Sequence, residues 1–304
     1  MVILEKMTPM TEGQKQLLNA LASDSVDIVG VFGPSGTGKS FITSVYSIDM
    51  VLVGKYDKFI IARPVIDVKT GREYTAAELG DLYFELAASY LRDVLSVLLP
   101  REELDKLIEQ GRVVIADPHF LRGRTFDKSI ILLDDAQFVS IETLTEVLMR
   151  VGRDSKLVIA GDPILQRGSE SGKDGATLAR EILLGEERAA VVDLGMKDMV
   201  RPGAKRGFKL ALELRMRRRE LSEEERKVVE AAYLRAPDAD VVTAVYLKAE
   251  KERLGLKNVP DVLIVSKEGY LGRLVGRGGE RIQGVEKDLS LIHISEPTRP
   301  RLIS

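Results

Sequence analysis

The apolar run Val26-Asp27-Ile28-Val29-Gly30-Val31-Phe32 leads directly into Gly33-Pro34-Ser35-Gly36-Thr37-Gly38-Lys39-Ser40. A run of this kind ending in G-x-x-x-x-G-K-S has few ways to fold: a buried strand, a tight glycine-rich loop, and a helix that opens at the lysine. Gly33, Gly36 and Gly38 permit backbone conformations closed to residues with a Cβ. Successive loop N–H groups then face inward as an anion nest, reinforced by the positive end of the following helix. Lys39 would set its ammonium between β- and γ-phosphates, and the Ser40 hydroxyl would ligate Mg2+. The octapeptide implies a site for the phosphates of a nucleotide such as ATP, built from Gly33, Pro34, Ser35, Gly36, Thr37, Gly38, Lys39 and Ser40, with Phe41 next to it on the helix.

The 304 residues, 44% hydrophobic and 30% charged, suffice for one domain of ordinary size and a smaller one. A net charge of −2 predicts no partner by itself, but the charge is uneven. Residues 201–220 hold eight Lys or Arg against Glu213 and Glu220, a local +6 that leaves the remainder at −8. Two readings stay open for this stretch: a solvated helix surface, or a face that tracks phosphates. Phe208 is its single aromatic residue, so it offers no stacking platform. The absence of cysteine excludes disulfides and thiolate metal sites. With His119 and His293 the only histidines, a zinc site is not expected. No apolar run nears membrane-spanning length and the N-terminus lacks a signal pattern, so a cytoplasmic protein with no membrane partner is expected.

Short apolar runs alternate with amphipathic stretches to about residue 200. The pattern predicts strands over 27–32, 58–62, 113–116, 129–133, 156–160 and 190–193, and helices over 11–22, 39–53, 75–98, 101–109, 141–151 and 175–183. Continuous Ile/Val/Leu strands separated by helices argue for an α/β fold, a parallel sheet covered on both faces. Beyond Pro202 come charged helices over 205–220 and 222–234, strands over 241–247 and 261–266, a short helix over 267–275 and another over 280–288. The expected organisation is a core over 1–203, a charged helical linker over 204–240, a small α+β domain over 241–288, and a tail over 289–304.

A second strand completes the nucleotide site. Residues 129–133 are apolar and end in Asp134-Asp135. In open α/β sheets ligands bind beyond the carboxyl ends of the strands, where the glycine loop also sits. Asp134 is then the partner of Ser40 in holding Mg2+, and Asp135 is placed to orient or deprotonate an attacking water. A third strand ends in Gly161-Asp162 with Gln166 four residues on, candidates to sense the γ-phosphate. Asp198-Met199-Val200-Arg201 follows the last strand of the core, and Arg201 is a candidate to offset charge on the transferred phosphoryl group.

These residues together resemble the PhoH-like family. The resemblance is carried by the glycine loop, Leu121-Arg122-Gly123-Arg124-Thr125-Phe126, Asp134-Asp135-Ala136-Gln137, Gly161-Asp162 and Asp198-Met199-Val200-Arg201, in family order over roughly residues 8–203. Thr11-Glu12-Gly13-Gln14-Lys15 and Arg63-Pro64-Val65 also fit. The resemblance implies a RecA-like P-loop ATPase related to superfamily 1 helicases and linked to RNA metabolism. It further implies Gln14 near the adenine, Arg122 and Arg124 in or beside the cleft, and a homo-oligomeric ring, a hexamer among the candidates. Two departures stand out. Asp135 replaces the family's Glu, which sets its carboxylate on the order of 1.5 Å back, and displacements of about 1 Å can slow a reaction about a hundredfold. Gln166 lies one residue later than the family pattern places it.

Near the C-terminus, Val275-Gly276-Arg277-Gly278-Gly279-Glu280-Arg281-Ile282 between two helices resembles the G-x-x-G signature of KH domains. That resemblance implies an RNA site at Gly276, Arg277, Gly278 and Gly279, where missing side chains admit the nucleic-acid backbone. Residues 289–299 resemble a translated sequencing adapter, so the natural sequence is expected to end near Asp288 and the KH-like fold to lack a closing strand. The sequence thus points to Mg2+-dependent ATP hydrolysis coupled to RNA. The alternatives are a small-molecule P-loop kinase and an RNA-binding adaptor with a slow nucleotide switch.

Overall fold

A computed structural model of the chain describes residues 3–67, 69–164, 174–257 and 259–289. The chain divides into two units, Met1–Lys205 and Arg206–Ser304. In the first, α1 (Glu12–Ala22), β1 (Ile28–Phe32), α2 (Lys39–Leu52) and β2 (Lys58–Ala62) are followed by a short hairpin, β3 (Val65–Ile66) with β4 (Glu73–Tyr74). Next come α3 (Ala76–Leu79), α4 (Asp81–Leu95), α5 (Arg101–Glu109) and β5 (Val113–Ala116). The unit continues with β6 (Ser129–Leu133), α6 (Ile141–Leu148), β7 (Lys156–Gly161), α7 (Gly175–Leu183) and β8 (Ala189–Asp193).

Six strands form one parallel sheet in the order β5-β2-β6-β7-β1-β8. Because side chains alternate along a strand, the apolar runs bury both faces. Val29 and Val31 of β1, Phe59 and Ile61 of β2, and Ile130 and Leu132 of β6 face the core beneath α1, α2, α4 and α5. Their neighbours Phe32, Ile60, Ile131 and Leu133 face the core beneath α6 and α7. The register pairs Phe32 with Gly161 and Ala62 with Leu133. Gly33, Asp162, Arg63 and Asp134 therefore all leave the sheet along one carboxyl edge. This is an α/β core, a parallel sheet with helices on both faces and a P-loop at its carboxyl edge.

Several elements of the first unit differ from the sequence pattern. The helix expected over 75–98 is broken at Gly80, whose φ of 57° and ψ of −136° lie in a region essentially open only to glycine. The piece before the break is closed by a capping box between Thr75 and Glu78, and α4 ends at Leu95. The helix expected over 141–151 stops at Leu148, since Val151 pairs with Phe126 in an isolated bridge. The β3–β4 hairpin was not anticipated, as two-residue strands carry no periodicity.

α8 (Pro202–Arg218), whose first residues belong to the first unit and the rest to the second, begins at a proline, whose missing N–H costs nothing in the first turn. It is followed by α9 (Glu223–Arg235), β9 (Val241–Tyr246), α10 (Lys248–Leu254), β10 (Val262–Ser266), α11 (Leu271–Val275) and α12 (Glu280–Asp288). β9 and β10 pair antiparallel. Val228 and Ala232 of α9, in the stretch expected as linker, lie in one core with Val241, Ala244, Ile264, Leu274 and Val285. The reason is amphipathicity: a charged helix with one apolar stripe finds cover on the nearest sheet. α11 starts at Leu271, later than the expected 267. Of the expected tail only Leu289 lies among the described residues. Among these, no helix is long and apolar enough to cross a membrane.

Candidate functional site

The loop between β1 and α2 has the backbone its glycines predict. Gly33, Gly36 and Gly38 take φ of 154°, 89° and 94°. A Cβ at Gly33 would lie 2.2 Å from the carbonyl oxygen of Leu194, and one at Gly36 2.8 Å from the Cβ of Ala204. Thr37 Oγ1 donates to the Pro34 carbonyl at 2.9 Å, and Lys39 Nζ donates to the carbonyls of Gly33 at 2.6 Å and Pro34 at 3.1 Å. Burial pushes the Lys39 ammonium below its ordinary pKa, opposed by the negative charges of Asp162, Asp134 and Asp135. A cation held against that penalty, with loop N–H groups around it, is suited to phosphate oxygens. Phe41 is partly buried and packs on the core rather than into the loop.

Across the sheet edge, Ser40 Oγ donates to Asp134 Oδ1 at 2.8 Å, and Tyr90 of α4 donates to Asp134 Oδ2 at 2.8 Å. Asp134 is 1% exposed. Burial raises its carboxyl pKa, and Asp135 raises it further, against Arg63, Ser40 and Tyr90. A hard carboxylate and a hydroxyl converging at hydrogen-bond distance fit a divalent cation of the Mg2+ type, and Ser40 and Asp134 are the residues that would hold it.

Asp135 sits at φ 54°, a left-handed conformation uncommon for residues other than glycine, of the kind that clusters at functional sites. Its Oδ2 receives Arg63 Nε at 2.8 Å and Nη2 at 2.6 Å. Its Oδ1 receives Gln137 Nε2 at 3.2 Å. The Arg63 guanidinium lies 3.5 Å from the Tyr90 ring centroid. Burial works to lower its pKa, but Asp135, Tyr90 and Asp134 outweigh it and the net shift is upward.

Gln137 also accepts the Asp162 N–H through Oε1 at 2.9 Å, and Asp162 Oδ2 accepts the Ser35 N–H at 3.1 Å. Asp135, Gln137, Asp162 and the glycine loop are thereby joined by a continuous set of hydrogen bonds. Gln14, 6% exposed, braces the loop from α1: Nε2 donates to the Thr37 carbonyl at 3.0 Å, and Oε1 accepts from Met10 N–H at 2.9 Å. Arg201 is exposed at the start of α8 and makes no side-chain hydrogen bond or ion pair among the described residues. Gln166 lies outside the described residues. Arg122 is 3.9 Å from Glu146, and Arg124 stacks 4.8 Å over Phe126, so neither contacts the Asp134–Asp135 cluster.

A family model described as PhoH-like protein matches residues 6–213. The chain belongs to the PhoH-like family. A PhoH-like protein of Bacillus subtilis is 30% identical over 194 residues, 63% of this chain and 59% of that one. Protein PhoH of Escherichia coli K12 is 27% identical over 200 residues, 63% of this chain and 54% of its own. The chain thus spans little more than half the length of these relatives. The Pyrococcus furiosus Hef helicase domain superposes with a TM-score of 0.36 and 15% identity, covering 94% of this chain and 54% of that one. In this PhoH-like chain the P-loop and the paired carboxylates at the same sheet edge have the geometry of a site for nucleotide phosphates.

Three members of the cluster carried no assigned role in the sequence. Arg63 follows β2 at the same carboxyl edge as Asp134, a position that itself flags it. Gln137 sits two residues past Asp135, and only its side-chain geometry gives it a role. Tyr90 lies in mid-helix with no local signal.

In the second unit, Gly276, Gly278 and Gly279 take φ of 76°, 62° and 85°. A Cβ at Gly278 would meet nothing within 4 Å, whereas one at Gly276 would lie 2.7 Å from Arg281 Cγ. Arg277 is exposed beside them. Part of the basic stretch is committed to its own unit: Lys209 pairs with Glu268, Arg217 with Glu213 and Asp240, and Arg219 with Glu225.

Proposed function

We propose that the chain is a Mg2+-dependent ATP hydrolase whose turnover is coupled to single-stranded RNA. The observation that carries the reading is the convergence of Ser40, Asp134 and Asp135 on the lip of a glycine loop with Lys39 beneath it. Mg2+, when bound, supplies positive charge to the β- and γ-phosphate oxygens. The loop N–H groups and Lys39 hold the triphosphate, and Asp135 orients a water and takes its proton. The water oxygen bonds to the γ-phosphorus as the bond to the β,γ-bridging oxygen breaks, leaving ADP and inorganic phosphate. Arg201, or an arginine from a neighbouring copy in a ring, would offset the charge that develops.

The open space over Gly278, its neighbouring glycines and the exposed Arg277 support a KH-like RNA contact in the second unit. A second reading, a slow nucleotide switch, is favoured by the three N–H groups already engaging Asp135.

The test is phosphate release from ATP by the full chain with and without Mg2+ and single-stranded RNA. Hydrolysis lost in Lys39→Ala and stimulation weakened in Gly278→Asp support the reading. Transfer of the phosphoryl group to nucleosides instead of water would identify a kinase.

A further inference from the structure

A cavity of about 410 Å³ opens beside the hydrolytic carboxylate, lined by Arg63, Pro64, Val65, Ile66, Leu86, Ala87, Asp135 and Phe138. Its volume falls in the ~300–1,000 Å³ range of small-ligand sites. The walls are apolar, with one ring, Phe138, partly buried among them. The polar end is the Arg63–Asp135 pair, in which both guanidinium bonds converge on one oxygen, Asp135 Oδ2.

That pair has a consequence for Asp135. A carboxylate has about four lone-pair sites, and three N–H bonds occupy most of them, leaving little room to hold and orient a water. Arg63 is held in place from behind, 3.5 Å over the Tyr90 ring, while its carbonyl accepts the Tyr83 hydroxyl at 2.7 Å. Its backbone is anchored, but its charged fork faces the cavity. An entering phosphodiester, tetrahedral at phosphorus, presents two anionic non-bridging oxygens that can accept a pair of guanidinium N–H bonds, and so competes for that fork directly. Apolar walls, a ring and a guanidinium are the combination that single-stranded nucleic acid uses, bases on the ring and phosphates on the cation.

We propose that this cavity takes a nucleotide of single-stranded RNA, whose phosphate draws Arg63 away from Asp135 and so frees the carboxylate that activates water. Arg63 is then a latch: RNA-free enzyme is restrained, and RNA lifts the restraint without altering how ATP is held. This rests on the RNA-coupled hydrolase reading and deepens it by giving the coupling a residue and a place.

The experiment compares wild type with Arg63→Gln at saturating Mg2+·ATP, with and without an oligouridylate of about 20 nucleotides, long enough to exceed one binding-site length. Removing the latch should raise RNA-free turnover about tenfold, and RNA should then add less than about twofold, with KM for ATP changed by less than about threefold. RNA-free turnover that falls in Arg63→Gln while the stimulation ratio persists would overturn the latch and make Arg63 a charge-stabilising group instead. Wild-type hydrolysis indifferent to RNA would overturn the coupling as a whole, and absent hydrolysis the enzyme reading itself. A readout on unmutated protein guards against misfolding of the variant. Photocrosslinking of 4-thiouridine-substituted oligouridylate should label the 63–66 or 138 peptides. Labelling confined to 276–279 refutes the cavity as the RNA site, and displacement of the oligonucleotide by an acidic peptide alone would reassign it to a protein partner.

Discussion

Replacing Gln137 with leucine tests the link between Asp135 and the glycine loop. The substitution roughly keeps side-chain volume and removes two hydrogen bonds: Nε2 to Asp135 Oδ1 at 3.2 Å, and Asp162 N–H to Oε1 at 2.9 Å. The first is long and leaves Asp135 still held by Arg63, so its loss is felt mainly when that arginine departs. The second strands a main-chain N–H next to a carboxylate that is itself 7% exposed, a penalty of about 1–3 kcal/mol. Asp162 in turn holds Ser35 N–H at 3.1 Å, so the strain reaches the loop. If the carboxylate drifts by about 1 Å, kcat should fall about 10- to 100-fold, while KM for ATP stays within about threefold because Lys39 and the loop amides are untouched. Steady-state kinetics with RNA present, paired with thermal melting, reads both quantities. A drop in melting temperature with kcat unchanged would show that Gln137 only fills space, and the linkage argument would fail.

Tyr90→Phe keeps the ring under Arg63 but removes the donor to buried Asp134 Oδ2; loss of a hydrogen bond to a charged group should destabilise the chain by about 1.5–3 kcal/mol in urea titration. Asp135→Glu advances the carboxylate and should raise kcat about tenfold, measured as phosphate release, whereas no change would mean the loop already compensates for the shorter side chain. Lys156, capping the end of α1 through the Ala20 and Ser23 carbonyls, has a pKa pushed down to about 8 by burial. Between that value and its ordinary 10.5 the unfolded chain binds the proton that the folded chain has released, so stability should rise across this window. In Lys156→Met, chemical denaturation at a series of pH values should show this contribution gone.

Much of the first unit was legible in its sequence because the governing rules are local. Apolar runs bounded by polar turns placed all six sheet strands within a residue at each end, and the glycine loop specified its own backbone through positions where a Cβ would strike Leu194 or Ala204. Asp134 was readable for the same reason, since the end of an apolar strand is where a parallel sheet presents its ligand groups. The break at Gly80 was less legible, because helical periodicity continues on both sides of a residue that only its own dihedral angles betray.

What the fold alone decided is which side chains meet. The parallel register sets Ala62 beside Leu133 and Phe32 beside Gly161, and that alignment brings Arg63 to Asp135 and Ser35 to Asp162 across 72 and 127 positions of chain. No local pattern encodes such pairs, since hydrogen bonds and ion pairs depend on distances of about 3 Å that only a packed sheet fixes. The residues that can hold a phosphate were written in the chain; the arginine that restrains their neighbouring carboxylate came from tertiary geometry.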